Sequence, residues 1–451
     1  MMAMRFGYLG SYRSRATADP AAAGLVSYDR KDVSSGFGCG IVAGSSSERI
    51  CCLPADSHAL VFGQTGAGKT ASVAAPSLLL NMSSAEQPNL IIVDCKETLW
   101  GETSAFAENC GYRVRRLDLR SSKSPCTFNP LTPAWQALER DRDQKRSDEL
   151  LHDALAPLGN LVTVKDDRYW ENAVLRLLTA SFHAYCAAKH QEPSIKDLVD
   201  LVFLDEDEWQ EIIAVLPEPT ATEFIQATNL KRRGSAKTWS CILDTLGTET
   251  QFFTSAVGSI VAGSSNFDPI AELTEGEVPV ALYLTVPDET AVANAYVSLL
   301  FDMLYKGFVH ASEQAGREGR SLRRALCLID EAARFPKCSL TSIMATGRSR
   351  GFTVTLLLQS FQQLLERGYY TEAEATVLVE QAGSVLFLPA ASKELGDNLH
   401  VRSGGLAGAR ELVGLRRGEA FVTRIGHPVM RTQLLPAEEL RAAYPRLRLD
   451  S

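Results

Sequence analysis

The chain has 451 residues, room for two to three domains, and 45% of them are hydrophobic, enough for a large buried core. A formal net charge of −8 argues against indiscriminate binding of nucleic acid, while leaving room for a local basic track. The longest apolar runs, at 278–286 and 325–329, fall far short of the ~18 residues of a membrane span, and the start MMAMRFGYLGSYRSR has no apolar signal core, so a cytosolic protein is expected. The ten cysteines form no C-x-x-C pair and the seven histidines no cluster, a pattern of reduced, buried thiols rather than of a zinc site.

Residues 1–54 read as an N-terminal extension, rich in Gly, Ser and Ala, in which extended segments alternate with loops. Residues 55–130 read as the first part of a nucleotide-binding domain, with strand–helix units at 58–63 with 69–82, 89–94 with 100–109, and a strand at 112–118. Pro76 should kink or shorten the first of these helices. Between strand and helix lies GQTGAGKT, which fits G-x-x-x-x-G-K-[ST]. In such a loop the backbone of Gly63, Gln64, Thr65, Gly66, Ala67 and Gly68 turns N–H groups toward phosphate oxygens at a positive helix N-terminus. Lys69 is then the residue that reaches the β/γ-phosphates, and the Thr70 hydroxyl a ligand for Mg²⁺.

From 131 to 275 strand signals vanish and helical periodicity takes over, which reads as an all-α insertion domain. Asp167 is a candidate cap for a helix with Trp170, Val174, Leu177, Leu178 and Ser181 on one face. Ser194 and Asp197 form an S-x-x-D helix start. Helices are also expected over 206–215 and most of 235–261.

The α/β pattern returns at 276–451, the second part of the nucleotide-binding domain, with a strand at 279–286 and a long helix at about 289–313. The run at 325–329 is apolar throughout, as in a buried parallel strand, and ends in Asp330-Glu331. Carboxylates at the C-terminal end of such a strand sit where α/β sheets bind ligands. Asp330 would hold Mg²⁺ and Glu331 would polarise the water that attacks a γ-phosphate. A further strand, 353–359, ends in Gln359, placed to sense the γ-phosphate or to orient water. In the R-S-R-G loop before it, Arg348 is either a solvated surface residue or a finger that enters a neighbouring subunit's site. A strand at 384–388 and an antiparallel pair at 418–424 and 427–434 close the pattern.

LIDEAARF followed by GRSRGFTVTLLLQSFQQL resembles the type IV secretion coupling proteins, the conjugative TraG/TraD class of DNA-transfer ATPases. HALVFGQTGAGKT, IIVDCKETLW, CTFNPL, YWENAVLRLL and ALYLTVPDE are similar to further family segments in the same order, so the resemblance covers roughly residues 55–435. It implies a RecA/FtsK-like P-loop NTPase domain with an α-helical insert, hydrolysing ATP with Mg²⁺ in a hexameric ring. It also implies partners: DNA, a relaxase nucleoprotein or effector, and a secretion channel. Two departures stand out. Family members usually begin with transmembrane helices, so this chain is expected to be a soluble member that reaches the membrane through a separate anchor. In the family's D-P-K-G-E segment, Cys95 and Glu97 replace the Pro and Gly, which leaves Lys96 without an assigned role. The alternatives are a cytosolic DNA-translocating ATPase unconnected to secretion, or a nucleotide-gated adaptor that recruits protein effectors. Three basic stretches, around Arg113–Lys123, Lys231–Arg233 and Arg402–Arg424, read first as solvated surface and second as DNA tracks.

Overall fold

A computed structural model of the chain describes residues 17–29, 40–45, 49–159, 168–229, 236–287, 291–336, 338–366 and 370–443. Its strands are β1 (Val26–Asp29), β2 (Gly40–Ser45), β3 (Arg49–Pro54), β4 (Ala59–Phe62), β5 (Asn89–Val93), β6 (Arg113–Asp118), β7 (Val280–Thr285), β8 (Ala325–Ile329), β9 (Phe352–Leu358), β10 (Ser384–Phe387), β11 (Glu419–Arg424) and β12 (Met430–Gln433). Among the described residues nine of these form one sheet, in the order β12-β11-β10-β4-β9-β8-β5-β7-β6. From β10 to β6 every pair is parallel; β11 and β12 close one edge antiparallel. The strand ending in Gln359 therefore lies between the P-loop strand β4 and the Asp-Glu strand β8.

Alternation along each strand divides the buried residues between two faces. Leu60, Phe62, Ile91, Val93, Leu282, Leu284 and Ile329 enter one core, which continues into the helices of the middle of the chain. Ala59, Val61, Leu90, Ile92, Tyr283 and Leu328 enter the other, against the helix that follows the P-loop. Both faces are covered, which is why these strands are apolar runs rather than half-polar ones.

The second face is also covered by a small antiparallel sheet, β1-β3-β2, that composition alone had not resolved from loops. Its β2 has backbone groups that face helix Ala75–Met82 instead of another strand. Side chains of that helix satisfy them: Asn81 accepts from Gly40 N (2.9 Å) and donates to Gly40 O (2.7 Å), and Ser77 accepts from Val42 N (2.9 Å). Pro76 falls in the first turn of this α-helical stretch, which continues without a break from the winding before it. The residues before it, Thr70–Ala74, wind as a π-helical turn, so the expected kink is a change of winding.

Between β6 and β7 the described residues form helices and no strand, from Thr132–Glu139 to Pro269–Glu275. Ser194 caps Ile195–Phe203 with a reciprocal Ser194/Asp197 box, and Asp205/Glu208 repeats the device for Glu206–Val215. Asp167 and the burial of Trp170 lie outside the described residues, while Val174, Leu177, Leu178 and Ser181 are buried. Asn129, in the N-P-L turn, is fully buried and holds the chain where it leaves the sheet, donating to Pro193 O (2.8 Å) and Glu192 Oε1 (3.0 Å). β7 then returns between β5 and β6. The long helix after it runs Asn294–Arg317, later than the pattern suggested.

Candidate functional site

The P-loop leaves the C-terminal end of β4, with Gly63 N still bonded to Leu358 O of β9 (3.1 Å). Two of its glycines have left-handed backbones, Gly66 at φ +81° and Gly68 at φ +96°, a region where a Cβ is strained. Lys69 is buried, and its ammonium bridges back to Gly63 O (2.7 Å) and Gln64 O (3.5 Å). Burial lowers its pKa, while the charges of Glu331 and Asp330 oppose that shift. The helical winding starts at Thr70, and the N–H of Ser72 in its first turn is bonded to Gly68 O of the loop (2.7 Å).

Asp330 and Glu331 arrive from β8. Asp330 is buried, its N–H bonded to Val93 O of β5 (3.1 Å), and its Oδ2 accepts from the Thr70 hydroxyl at 3.0 Å. Burial pushes its pKa up, against the Thr70 bond. Glu331 has a left-handed backbone, φ 49° and ψ 48°, unusual for a non-glycine residue and costly by ~1–2 kcal/mol. That turn reverses the chain into the short helix Ala332–Arg334. The Glu331 carboxylate accepts from Lys96 Nζ on Oε1 (2.8 Å) and from Gln359 Nε2 on Oε2 (3.2 Å). Burial works to raise its pKa, yet the Lys96 and Gln359 bonds outweigh it and hold the group below its ordinary value.

Gln359 is oriented from both sides. Its Oε1 accepts from the Thr65 hydroxyl of the P-loop (3.1 Å), and its backbone N–H donates to Gln363 Oε1 (3.3 Å), the last Gln of the Q-S-x-x-Q segment. Thus P-loop, Asp330, Glu331 and Gln359 meet at one end of β4, β8 and β9. Arg348 is not brought to them. It is exposed in the short helix Arg348–Arg350, before the N-terminal end of β9. Its charge acts on His58, the buried residue before β4, at the end of the sheet opposite the P-loop.

Lys96 is the residue that sequence reading left unassigned. The turn that carries it is fixed by Asp94, whose carboxylate accepts from Lys96 N (3.2 Å) and Trp100 N (2.8 Å). Glu97 has φ 60°, which accounts for a glycine at the matching place in the resembled motif; here Arg116 and Arg120 bind its carboxylate. Acidic partners engage most of the first basic stretch: Arg113 and Arg115 pair with Glu272, and Arg116 and Arg120 with Glu97 and Asp118. In the third stretch Arg402 is turned inward to Val379 O (2.6 Å) and Arg424 pairs with Asp56, while Arg410, Arg416 and Arg417 are exposed. Lys231, Arg232 and Arg233 lie outside the described residues.

A hydroxyl and a buried carboxylate in contact, Thr70 and Asp330, are hard oxygen donors of the kind that suits Mg²⁺. Such a pair beside a P-loop, on a parallel sheet with a helical segment spliced between its strands, defines a RecA-like P-loop NTPase fold with an all-α part. The sequence profile of the type IV secretory system conjugative DNA transfer family matches residues 21–405, and the chain belongs to that family. Among solved structures it is similar to the bacterial conjugative coupling protein TrwBΔN70, trigonal form in complex with sulphate, at 17% identity over 91% of this chain and 94% of that one (TM-score 0.62). It is also similar to the plasmid coupling protein TrwB in complex with ADP and Mg²⁺, at 17% identity over 84% and 86% (TM-score 0.58). A third likeness is VirB4 of Thermoanaerobacter pseudethanolicus, at 14% identity over 90% and 99% (TM-score 0.54). At such identities the likeness is one of fold. Among curated proteins no sequence matches. Among the described residues no helix is long and apolar enough to cross a membrane.

Proposed function

We propose that the chain is the ATP-hydrolysing coupling motor of a conjugative transfer system, driving DNA or a nucleoprotein toward a type IV secretion channel. The observation that supports this best is the convergence of the P-loop with Asp330, Glu331 and Gln359 on one end of the sheet, joined by the Thr70–Asp330 and Thr65–Gln359 bonds. Lys69 and the loop amides of Thr65, Gly66, Gly68, Lys69 and Thr70 bind the phosphates; those of Gly63, Gln64 and Ala67, which the sequence pattern also offered, are bonded to Leu358 O (3.1 Å), Pro389 O (3.3 Å) and Gln64 O (3.0 Å) and shape the loop instead. Thr70 and Asp330 would hold Mg²⁺, which when bound neutralises charge on the β- and γ-phosphate oxygens. Glu331 takes a proton from water as its oxygen bonds the γ-phosphorus and the bond to the ADP oxygen breaks. Gln359 orients that water and reports the γ-phosphate to the P-loop through Thr65. Arg348 completes the site of the next subunit in a ring. The protein acts at the cytoplasmic face, held to the membrane through a partner.

The test is Mg²⁺-dependent ATP hydrolysis with and without DNA. Stimulation by DNA supports the motor; stimulation only by a protein partner turns the reading to a nucleotide-gated adaptor. Lys69→Ala should abolish nucleotide binding, because Lys69 meets phosphate in the ground state. Glu331→Gln should bind ATP and fail to hydrolyse it. Hydrolysis by Glu331→Gln at the wild-type rate would remove Glu331 as the base.

A further inference from the structure

Both oxygens of the proposed base are occupied in this structure. Lys96 Nζ holds Oε1 at 2.8 Å and Gln359 Nε2 holds Oε2 at 3.2 Å. A carboxylate tied on each oxygen, once by a cation, is a poor acceptor for a proton from water. The two restraints differ in kind. Gln359 is itself held by Thr65 and Gln363. Lys96 stands on a turn fixed by Asp94 and Glu97, but its side chain is 52% exposed and its four-carbon stem is free to swing. Glu331 follows Asp330, whose Oδ2 meets the P-loop's Thr70, so the Lys96 ammonium stands beside the P-loop that carries Lys69. A terminal phosphate there offers two negative charges and three oxygens, against one charge on Glu331.

We propose that Lys96 is a phosphate-responsive latch on Glu331: through the contact seen here it restrains the base, and the terminal phosphate of a bound nucleoside triphosphate draws the ammonium away, releasing the base only when there is a γ-phosphate to hydrolyse. This deepens the reading of the chain as an ATPase and rests on it. The latch makes two demands. Lys96 must discriminate triphosphate from diphosphate, because only the former supplies its second partner. Glu331 and the γ-phosphate must also compete for one ammonium.

The experiment uses the full chain with Mg²⁺ and measures binding of β,γ-imido-ATP and of ADP to wild type, Lys96→Gln, Lys96→Arg, Glu331→Gln and the double variant Lys96→Gln/Glu331→Gln. Loss of one charge-assisted contact should weaken the imido analogue roughly ten- to a hundredfold in Lys96→Gln, with ADP unchanged, and Lys96→Arg should restore most of it. Removing the competitor in Glu331→Gln should tighten the imido analogue more when Lys96 is present than when it is Gln. Equal losses for both nucleotides, with a lower melting temperature, would make Lys96 a structural residue of the turn and overturn the latch. So would identical effects of Glu331→Gln in the two backgrounds. A wild-type protein that binds neither nucleotide would overturn the ATPase reading and the latch with it. A wild type that binds and hydrolyses ATP, beside an unchanged discrimination in Lys96→Gln, would remove the latch alone.

Discussion

Arg348→Ala distinguishes a contribution within the subunit from one made across an interface. β9 spans Phe352–Leu358, with Arg348 before its first residue and Gln359 after its last. At ~3.3 Å per residue the strand puts about 20 Å between them. The backbone bonds Phe352 N to Gly347 O (3.0 Å) and Ala325 N to Gly351 O (3.0 Å) hold the Arg348 loop at the starting end of β9 and β8. A guanidinium cannot cover that distance, so any role at a transition state must be played in a neighbouring subunit's site. A finger of this kind is worth ~10³–10⁵ in rate, because it neutralises charge that develops only as the phosphoryl group transfers. Arg348 is exposed, so the variant should melt as the wild type does, bind ATP normally and lose turnover. Mixing gives the sharper assay. A Glu331→Gln subunit has a dead site and an intact finger; an Arg348→Ala subunit has the converse. Co-assembled, they create interfaces with one working site and one working finger, and part of the activity should return. Background activity despite proven co-assembly would refute a finger between subunits, and wild-type turnover by Arg348→Ala alone would reduce it to a surface residue.

Three further outcomes are expected. His58 is buried and accepts from Val354 N, and desolvation, with the Arg348 charge second, lowers its pKa from 6.5 to about 4. The unfolded chain therefore binds a proton that the folded chain refuses. The stability at stake is fully present above about pH 6.5 and is lost as pH falls toward about 4, roughly 3 kcal/mol in all. Urea titrations of wild type and His58→Gln at several pH values should diverge over that window, and parallel curves would remove His58 as the cause. Asn81→Ala leaves Gly40 N and Gly40 O without their buried partners, at a cost of roughly 2–4 kcal/mol, and hydrogen exchange in β2 should quicken before that in β4. Substituting Arg410, Arg416 and Arg417 together should weaken DNA binding and flatten its salt dependence by ~2–3 units of slope if these exposed arginines meet phosphates; an unchanged slope would assign them to plain surface.

What the sequence determined by itself is local. GQTGAGKT between a strand and a helix, Asp330-Glu331 after five apolar residues and Gln359 after another apolar run are contiguous patterns. Each marks a strand end with polar residues at its tip and so a candidate site, because backbone winding and burial on both faces of a strand are written in neighbouring residues. The change from alternating to helical periodicity near residue 131 was legible for the same reason. What the tertiary structure decided depends on residues far apart in the chain. Lys96 and Glu331 are 235 residues apart, and nothing in either segment names the other. Arg115 meets Glu272 across 157 residues, so a run of arginines that reads as a cationic surface is instead largely paired. β7 slips between β5 and β6 only after the helical segment, and β1–β3 form a sheet because Asn81 and Ser77 give an edge strand the partners it lacks. Charge pairing and edge satisfaction are properties of the closed chain, in which one element's burial creates the need that another's side chain fills, and no local pattern can state them.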